Sequence, residues 1–192
     1  MTKEIEIESK SMLSLNDYHQ LINHFQLHQQ QGFLQQNHYF ETKDMQLKVH
    51  HCALRVRKKN EQYTLTLKQP QKEGLLETNQ IITGSDLVTF QTTGTLPSGE
   101  VQQQLQDSAL HTDTFIYLGC LETERHELTY EQGLLCLDKS SYLGKTDYEV
   151  EFEGHSEAHA EATMAHLLQT LQIENKKSKN KVQRFFERSL EI

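Results

Sequence analysis

Tryptophan is absent from this chain of 192 residues, proline occurs twice, and hydrophobic residues make up only 35%. A core that lean suits a fold that keeps part of its interior polar. No apolar run approaches the roughly 20 residues of a membrane-spanning helix. The N-terminus turns acidic at Glu4 and carries no apolar signal-peptide core. Cys52, Cys120 and Cys136 are odd in number and widely spaced, and none falls in a CxxC pair. They read as reduced, buried thiols of a cytoplasmic protein rather than a disulfide framework. Positive charge is also scarce: 27 acids face 19 lysines and arginines, for a net charge of −8. General nucleic-acid binding and anionic-membrane binding both draw on excess positive charge, so neither is expected. There is no glycine-rich P-loop and no GxSxG, which argues against a Walker-type ATPase and an α/β-hydrolase.

What the chain has instead is charge at period two. In Glu4-Ile5-Glu6-Ile7-Glu8-Ser9-Lys10, read as one strand, Glu4, Glu6, Glu8 and Lys10 share one face. Taken alone, such a strand is a solvated sheet edge. Others repeat it, however. Arg55, Arg57 and Lys59 alternate with Leu54 and Val56, and Thr64, Thr66 and Lys68 with Leu65 and Leu67. Thr123, Arg125 and Glu127 share a face, and Asp147, Glu149, Glu151 and Glu153 alternate with Tyr148, Val150 and Phe152.

Around these, Ser14 with Asp17 predicts a capped helix over about 14–28. Further strands are expected at about 36–42, 52–59, 63–68 and 74–82. Ser85 is expected to cap a short helix carrying Leu87 and Phe90, and a polar helix follows over 100–108. Strands return at 114–120, 121–130, 134–139 and 147–153, with turns at 131–133 and 141–144. Ser156 begins a long helix, and Ser178 a last one with a basic stripe. No repeat and no internal boundary is visible, so a single domain over 1–192 is expected. His155 and His159 stand four apart at a helix start, without the further ligands of a zinc motif, and read as solvated. The basic last helix does not make an otherwise acidic chain an RNA binder.

Two architectures fit the alternation. A sandwich would turn the charged faces to water. A closed antiparallel barrel would turn them inward and cover its apolar outer faces with helices. Segregation of sign favours the barrel, because the first and last charged strands are acid-rich and the middle ones basic. Carboxylates suit a hard divalent cation, and Arg and Lys suit phosphate oxygens.

Glu6-Ile7-Glu8-Ser9-Lys10 resembles the ExExK signature of the CYTH superfamily, the triphosphate tunnel metalloenzymes, in its bacterial YjbK-like branch. The resemblance continues in order through Tyr39-Phe40-Glu41-Thr42, Leu54-Arg55-Val56-Arg57, Thr66-Leu67-Lys68, Leu121-Glu122-Thr123-Glu124-Arg125, Leu137-Asp138-Lys139, Tyr148-Glu149-Val150-Glu151, and Ser178-Lys179 with Arg184-Phe185. It implies an α+β fold, with a closed eight-stranded antiparallel barrel forming a tunnel flanked by helices. It also implies a small-molecule triphosphate substrate and Mg²⁺ or Mn²⁺ as cofactor.

Carried over by motif, Glu6, Glu8, Asp138, Glu149 and Glu151 would bind metal. Lys10, Arg55, Arg57, Lys68 and Arg125 would hold phosphate, and Glu6, Glu8 and Lys10 would form the catalytic signature. Lys179, Lys181 and Arg184 would close one mouth of the tunnel, and Glu77 is a secondary acid beside the neutral Asn79. The activity expected is metal-dependent triphosphate hydrolysis. The alternatives are a class IV-type adenylate cyclase, for which no nucleotide pocket is visible, and a non-catalytic polyphosphate sensor, which would need mainly the basic wall.

Overall fold

The computed structural model describes residues 2–30, 32–108, 110 and 114–191. In chain order its strands are β1 (Thr2–Glu6), β2 (Glu8–Leu13), β3 (Phe33–Thr42), β4 (Ala53–Lys59), β5 (Gln62–Pro70), β6 (Leu75–Ile82), β7 (Phe115–Tyr130), β8 (Gly133–Tyr142) and β9 (Lys145–Glu153). Its α-helices are α1 (Leu15–His24), α2 (Gln46–Val49), α3 (Gly84–Thr93), α4 (Glu100–Gln106), α5 (Glu157–Thr170) and α6 (Lys181–Ser189). This is an α+β chain whose strands pair antiparallel in the ladders β1–β6, β2–β9, β3–β4, β4–β5, β5–β6, β7–β8 and β8–β9. No helix among the described residues is long and apolar enough to cross a membrane.

The chain forms two compact units, residues 1–6 with 35–121, and residues 7–34 with 122–192. In the first, the strands lie in the order β1-β6-β5-β4-β3, with the first part of β7 next to β3. In the second, the rest of β7 is followed by β8, β9 and β2.

Each unit has its own core, and alternation explains both. In the first, Leu54 and Val56 of β4 and Leu65 and Leu67 of β5 are fully buried. They cluster with Leu87 and Phe90 of α3 and Val101 and Leu105 of α4. Phe90 stacks on Phe40, ring centres 3.8 Å apart, and meets Phe115 edge-on. In the second unit, Leu135, Leu137, Val150 and Phe152 pack with Leu21 of α1 and Met164, Leu167 and Leu168 of α5. Several charged strand residues are buried too: Asp138 is 0% exposed, Glu149 1% and Arg125 6%. A solvated edge or a water-facing sandwich surface is excluded for these positions.

Several expectations need correction. Nine strands are present among the described residues, not eight. The expected opening strand is two, because Thr2–Glu6 pair with β6 and Glu8–Leu13 with β9, and Ile7 lies between the two ladders. Conversely, 114–120 and 121–130 are one continuous strand, with Gly119 at φ +137° inside it. Only glycine takes that backbone conformation readily. The short helix is capped by Thr83 rather than Ser85, in a capping box with Asp86. The last helix is capped by Asn180 rather than Ser178. The first helix ends at His24, before a left-handed Gln26.

Truncating Phe90 to alanine should cost about 3–5 kcal/mol, the usual penalty for a buried aromatic cavity. Urea denaturation followed by circular dichroism measures it, and an unchanged midpoint would contradict the packing described.

Candidate active site

In the second unit, β8 and β9 pair so that Asp138 lies opposite Glu149. β9 also pairs with β2, where Lys10 lies opposite Glu151 and Met12 opposite Glu149. Asp138, Glu149 and Glu151 each offer a carboxylate oxygen within 4.8 Å of the others, and all three residues are buried. Three like charges this close could not stay ionised unaided.

They are compensated from β7 and α6. Arg125 donates from Nε to Asp138 Oδ1 at 2.6 Å, and from Nη2 to Asp138 Oδ2 at 2.6 Å and Glu151 Oε2 at 2.5 Å. The two bonds to Asp138 are the fork geometry that makes arginine strong with planar oxyanions. Lys181 Nζ sits 2.8 Å from Asp138 Oδ2, 2.8 Å from Glu149 Oε2 and 2.5 Å from Glu151 Oε1. Arg184 Nη2 donates to Glu149 Oε2 at 2.8 Å, and its Nε lies 3.1 Å from Asp147 Oδ2.

The electrostatics follow from these contacts. Burial alone would raise the Glu151 carboxyl, but Lys181, Arg125 and Lys10 outweigh it and hold the group well below the carboxylate range. Burial would likewise lower Lys181, and Asp138, Glu151 and Glu149 hold it well above the usual lysine value. Lys10 is raised more modestly: against its burial stand Glu8, its hydrogen-bond partner, and then Glu151 and Glu149.

The first unit carries a smaller charged group. Lys68 bridges Glu6 and Glu77, the latter at 2.5 Å, and Arg55 Nη2 lies 3.9 Å from Glu77. Arg57 donates through Nε to Asn37 Oδ1 at 3.0 Å. Asn79 links Thr66 to Glu4, through bonds of 2.6 and 3.0 Å.

The CYTH domain family model matches residues 4–186. A candidate triphosphatase of Bacillus subtilis (strain 168), YjbK, is 43% identical over 188 residues, 97% of each chain. The crystal structure of a protein from Bacillus halodurans, described as a candidate adenylate cyclase, is 47% identical with a TM-score of 0.91, covering 97% of this chain and all of that one. A Hippeastrum protein at 22% identity shares the fold, with a TM-score of 0.76 over 96% of this chain and 95% of its own. The chain belongs to the CYTH family.

Within this CYTH chain the expected site residues fall into distinct settings. Asp138, Glu149, Glu151, Arg125, Lys181 and Arg184 converge in the second unit, with Lys10 and Glu8 paired on β2. Glu6, Lys68, Glu77 and Arg55 converge in the first. Lys179 does not join its neighbours: its ammonium is exposed and pairs with Glu187 at 2.7 Å. Two participants were missed from sequence. Ser178 donates to Glu149 and accepts from Arg184 Nη1 at 2.8 Å, and Asp147 takes the Arg184 Nε contact. Asp147 sat in the alternating strand pattern and could have been carried forward; Ser178 stood in the family resemblance and as a helix start, but was given no role of its own. The motif acid Glu41 serves the backbone instead. Its Oε1 accepts the N–H of Thr42 at 2.7 Å and Leu47 at 3.0 Å, and its Oε2 that of Lys48 at 2.9 Å.

The three carboxylates suit a hard divalent cation, since their hard oxygen donors are what Mg²⁺ and Mn²⁺ prefer. That one ammonium bridges all three marks the point between them as a seat for positive charge.

Glu77 makes an acid-dependent contribution to stability. Burial opposes its ionisation, but Arg55 and Lys68 lower its carboxyl from 4.5 to about 2. A carboxyl lowered by folding adds stability that is complete above its unfolded value and vanishes as pH falls through its folded one. Urea midpoints should therefore fall between about pH 4.5 and 2 more steeply in the wild type than in Glu77→Gln. Parallel slopes would show that Glu77 is not the group responsible.

Proposed function

We propose that this protein is a divalent-metal-dependent hydrolase acting on the triphosphate group of a small molecule. The observation that carries this reading is the buried set Asp138, Glu149 and Glu151, faced by Arg125, Lys181 and Arg184. A pure anion binder has no use for three buried carboxylates, and a pure metal store has no use for the arginine fork. A metal–triphosphate needs both. The name of the 43% identical relative, a candidate triphosphatase that matches along nearly the whole of both chains, supports the same reading.

Asp138, Glu149 and Glu151 would hold Mg²⁺ or Mn²⁺, leaving the ion room for water and phosphate oxygens. When bound, the ion supplies charge neutralisation at phosphate oxygens as the P–O bond breaks. Arg125 and Arg184 are held in place by the carboxylates they grip, and they would orient the triphosphate with donors already aligned. Arg55, Arg57 and Lys68 supply further phosphate contacts in this reading. Glu6, Glu8 and Lys10 enter through the family signature, and so does the closed tunnel-forming barrel. A single working domain belongs to the proposal too, as does the cytoplasm, whose reducing conditions suit three free thiols.

A cyclase reading draws on the description of the 47% identical Bacillus halodurans protein, and one assay separates the two. Purified protein with Mg²⁺ or Mn²⁺ should release phosphate from inorganic triphosphate or an organic triphosphate. Cyclic AMP from ATP without phosphate release would support the cyclase instead, and neither product would overturn both. Glu151→Gln, with its fold verified by circular dichroism, should lose activity on the order of 100-fold or more, as when a preorganised charged contact is removed. Full activity in that variant would refute the assignment.

A further inference from the structure

We infer that Lys181 and the divalent cation compete for one seat among Asp138, Glu149 and Glu151, so that metal entry frees the lysine for a phosphate. The inference rests on the metal reading of this cluster and goes beyond it, in giving the seat a resident of the chain's own.

An ammonium has three N–H donors, and Lys181 stands within 2.8 Å of one oxygen from each of three carboxylates. Those oxygens, Asp138 Oδ2, Glu149 Oε2 and Glu151 Oε1, are the ones that converge around the seat. Coordination at about 2.0–2.1 Å by Mg²⁺ would need the same lone pairs. The arginines stand differently, because each also holds an oxygen that Lys181 does not touch. Arg125 grips Asp138 Oδ1 and Glu151 Oε2, and Arg184 Nη1 reaches Glu149 Oε1 at 3.3 Å. The arginines can stay while the lysine leaves. Lys181 is the first residue of α6 and reaches the seat on a flexible four-carbon stem. It can swing away without moving the helix, which Arg184 and the buried Phe185 also anchor.

Charge balance points the same way. Three carboxylates facing Arg125, Lys181 and Arg184 are neutral together; Asp147, which also meets Arg184, is paired with Lys145 at 3.5 Å, and Lys10 and Glu8 are paired to each other beside them. A divalent ion added without loss of the lysine would leave two uncompensated positive charges in a buried site, which is strongly unfavourable. Exchange leaves one, and an incoming triphosphate more than compensates it. The displaced ammonium then finds phosphate oxygens in place of the carboxylates.

The test uses Mn²⁺ alone as the probe, with no substrate and no turnover. By calorimetric titration, Lys181→Met and Lys181→Gln should bind Mn²⁺ about tenfold or more tightly than the wild type, within the usual range of coupling between two ligands. In the wild type, acylation of Lys181 read by peptide mass spectrometry should be slow without metal and several-fold faster with Mn²⁺. Labelling of Lys179 should not change. If the variants bind no more tightly and Lys181 labelling ignores the metal, the competition is refuted while Mn²⁺ binding stands. If neither wild type nor variants bind Mn²⁺, the metal reading falls and takes the competition with it. Should both variants fail to fold, the wild-type labelling decides alone.

Discussion

Burying three carboxylates side by side is the constraint on which the second unit is built. Each buried ion forfeits several kcal/mol of hydration even after relaxation, and neighbouring like charges add to it. Asp138, Glu149 and Glu151 can stay ionised only because Arg125 reaches them from β7 and Lys181 and Arg184 from α6. The secondary structure has to satisfy both needs at once. β8 and β9 must set Asp138, Glu149 and Glu151 on one face and leucine, valine and phenylalanine on the other, so that one face carries charge while the other packs under α1 and α5. The last helix must then dock with its basic side toward the acids.

Such a network is a poor way to gain stability. Well-packed apolar residues of similar size serve as well or better, while removing one partner of a buried ion pair costs about 3–5 kcal/mol. The cluster therefore makes sense as a site held ready, not as a device for holding the unit together. Lys181 touches one oxygen of each acid, two of them shared with an arginine, while the remaining oxygens are held by Arg125, Arg184 and Ser178 without it. The first unit repeats the idea at smaller scale: one lysine bridges two acids, with an arginine nearby.

Much of this was legible from alternation. Period-two charge located the strands, and helices cover their apolar side. What escaped the sequence depends on partners far along the chain. The break at Ile7 falls where pairing passes from β6 to β9, both far along the chain, so no local pattern could mark it. Where the sequence suggests two strands, 114–120 and 121–130, the structure has the single β7. The chain stays extended there by letting a glycine take a positive φ. Ser178 looked like a helix cap because serine favours that position. Its hydroxyl is committed to Glu149, and Asn180 caps the helix instead.

The C-terminal lysines show most clearly where pattern reading stops. Lys177, Lys179, Lys181 and Arg184 form one basic run in sequence, and composition gives no reason to separate them. Helical geometry does. Lys181 and Arg184 are three apart in α6 and share a side, whereas Lys179 precedes the helix and turns to Glu187. Phe185, next to Arg184, is fully buried and lies 5.9 Å from the Tyr142 ring, centre to centre. That apolar anchor sets the rotation of the helix, and the rotation delivers Lys181 and Arg184 to the acids. A hydrophobic contact thus selects which of several equivalent charges enters the site, and the selection becomes visible only once the helix is docked.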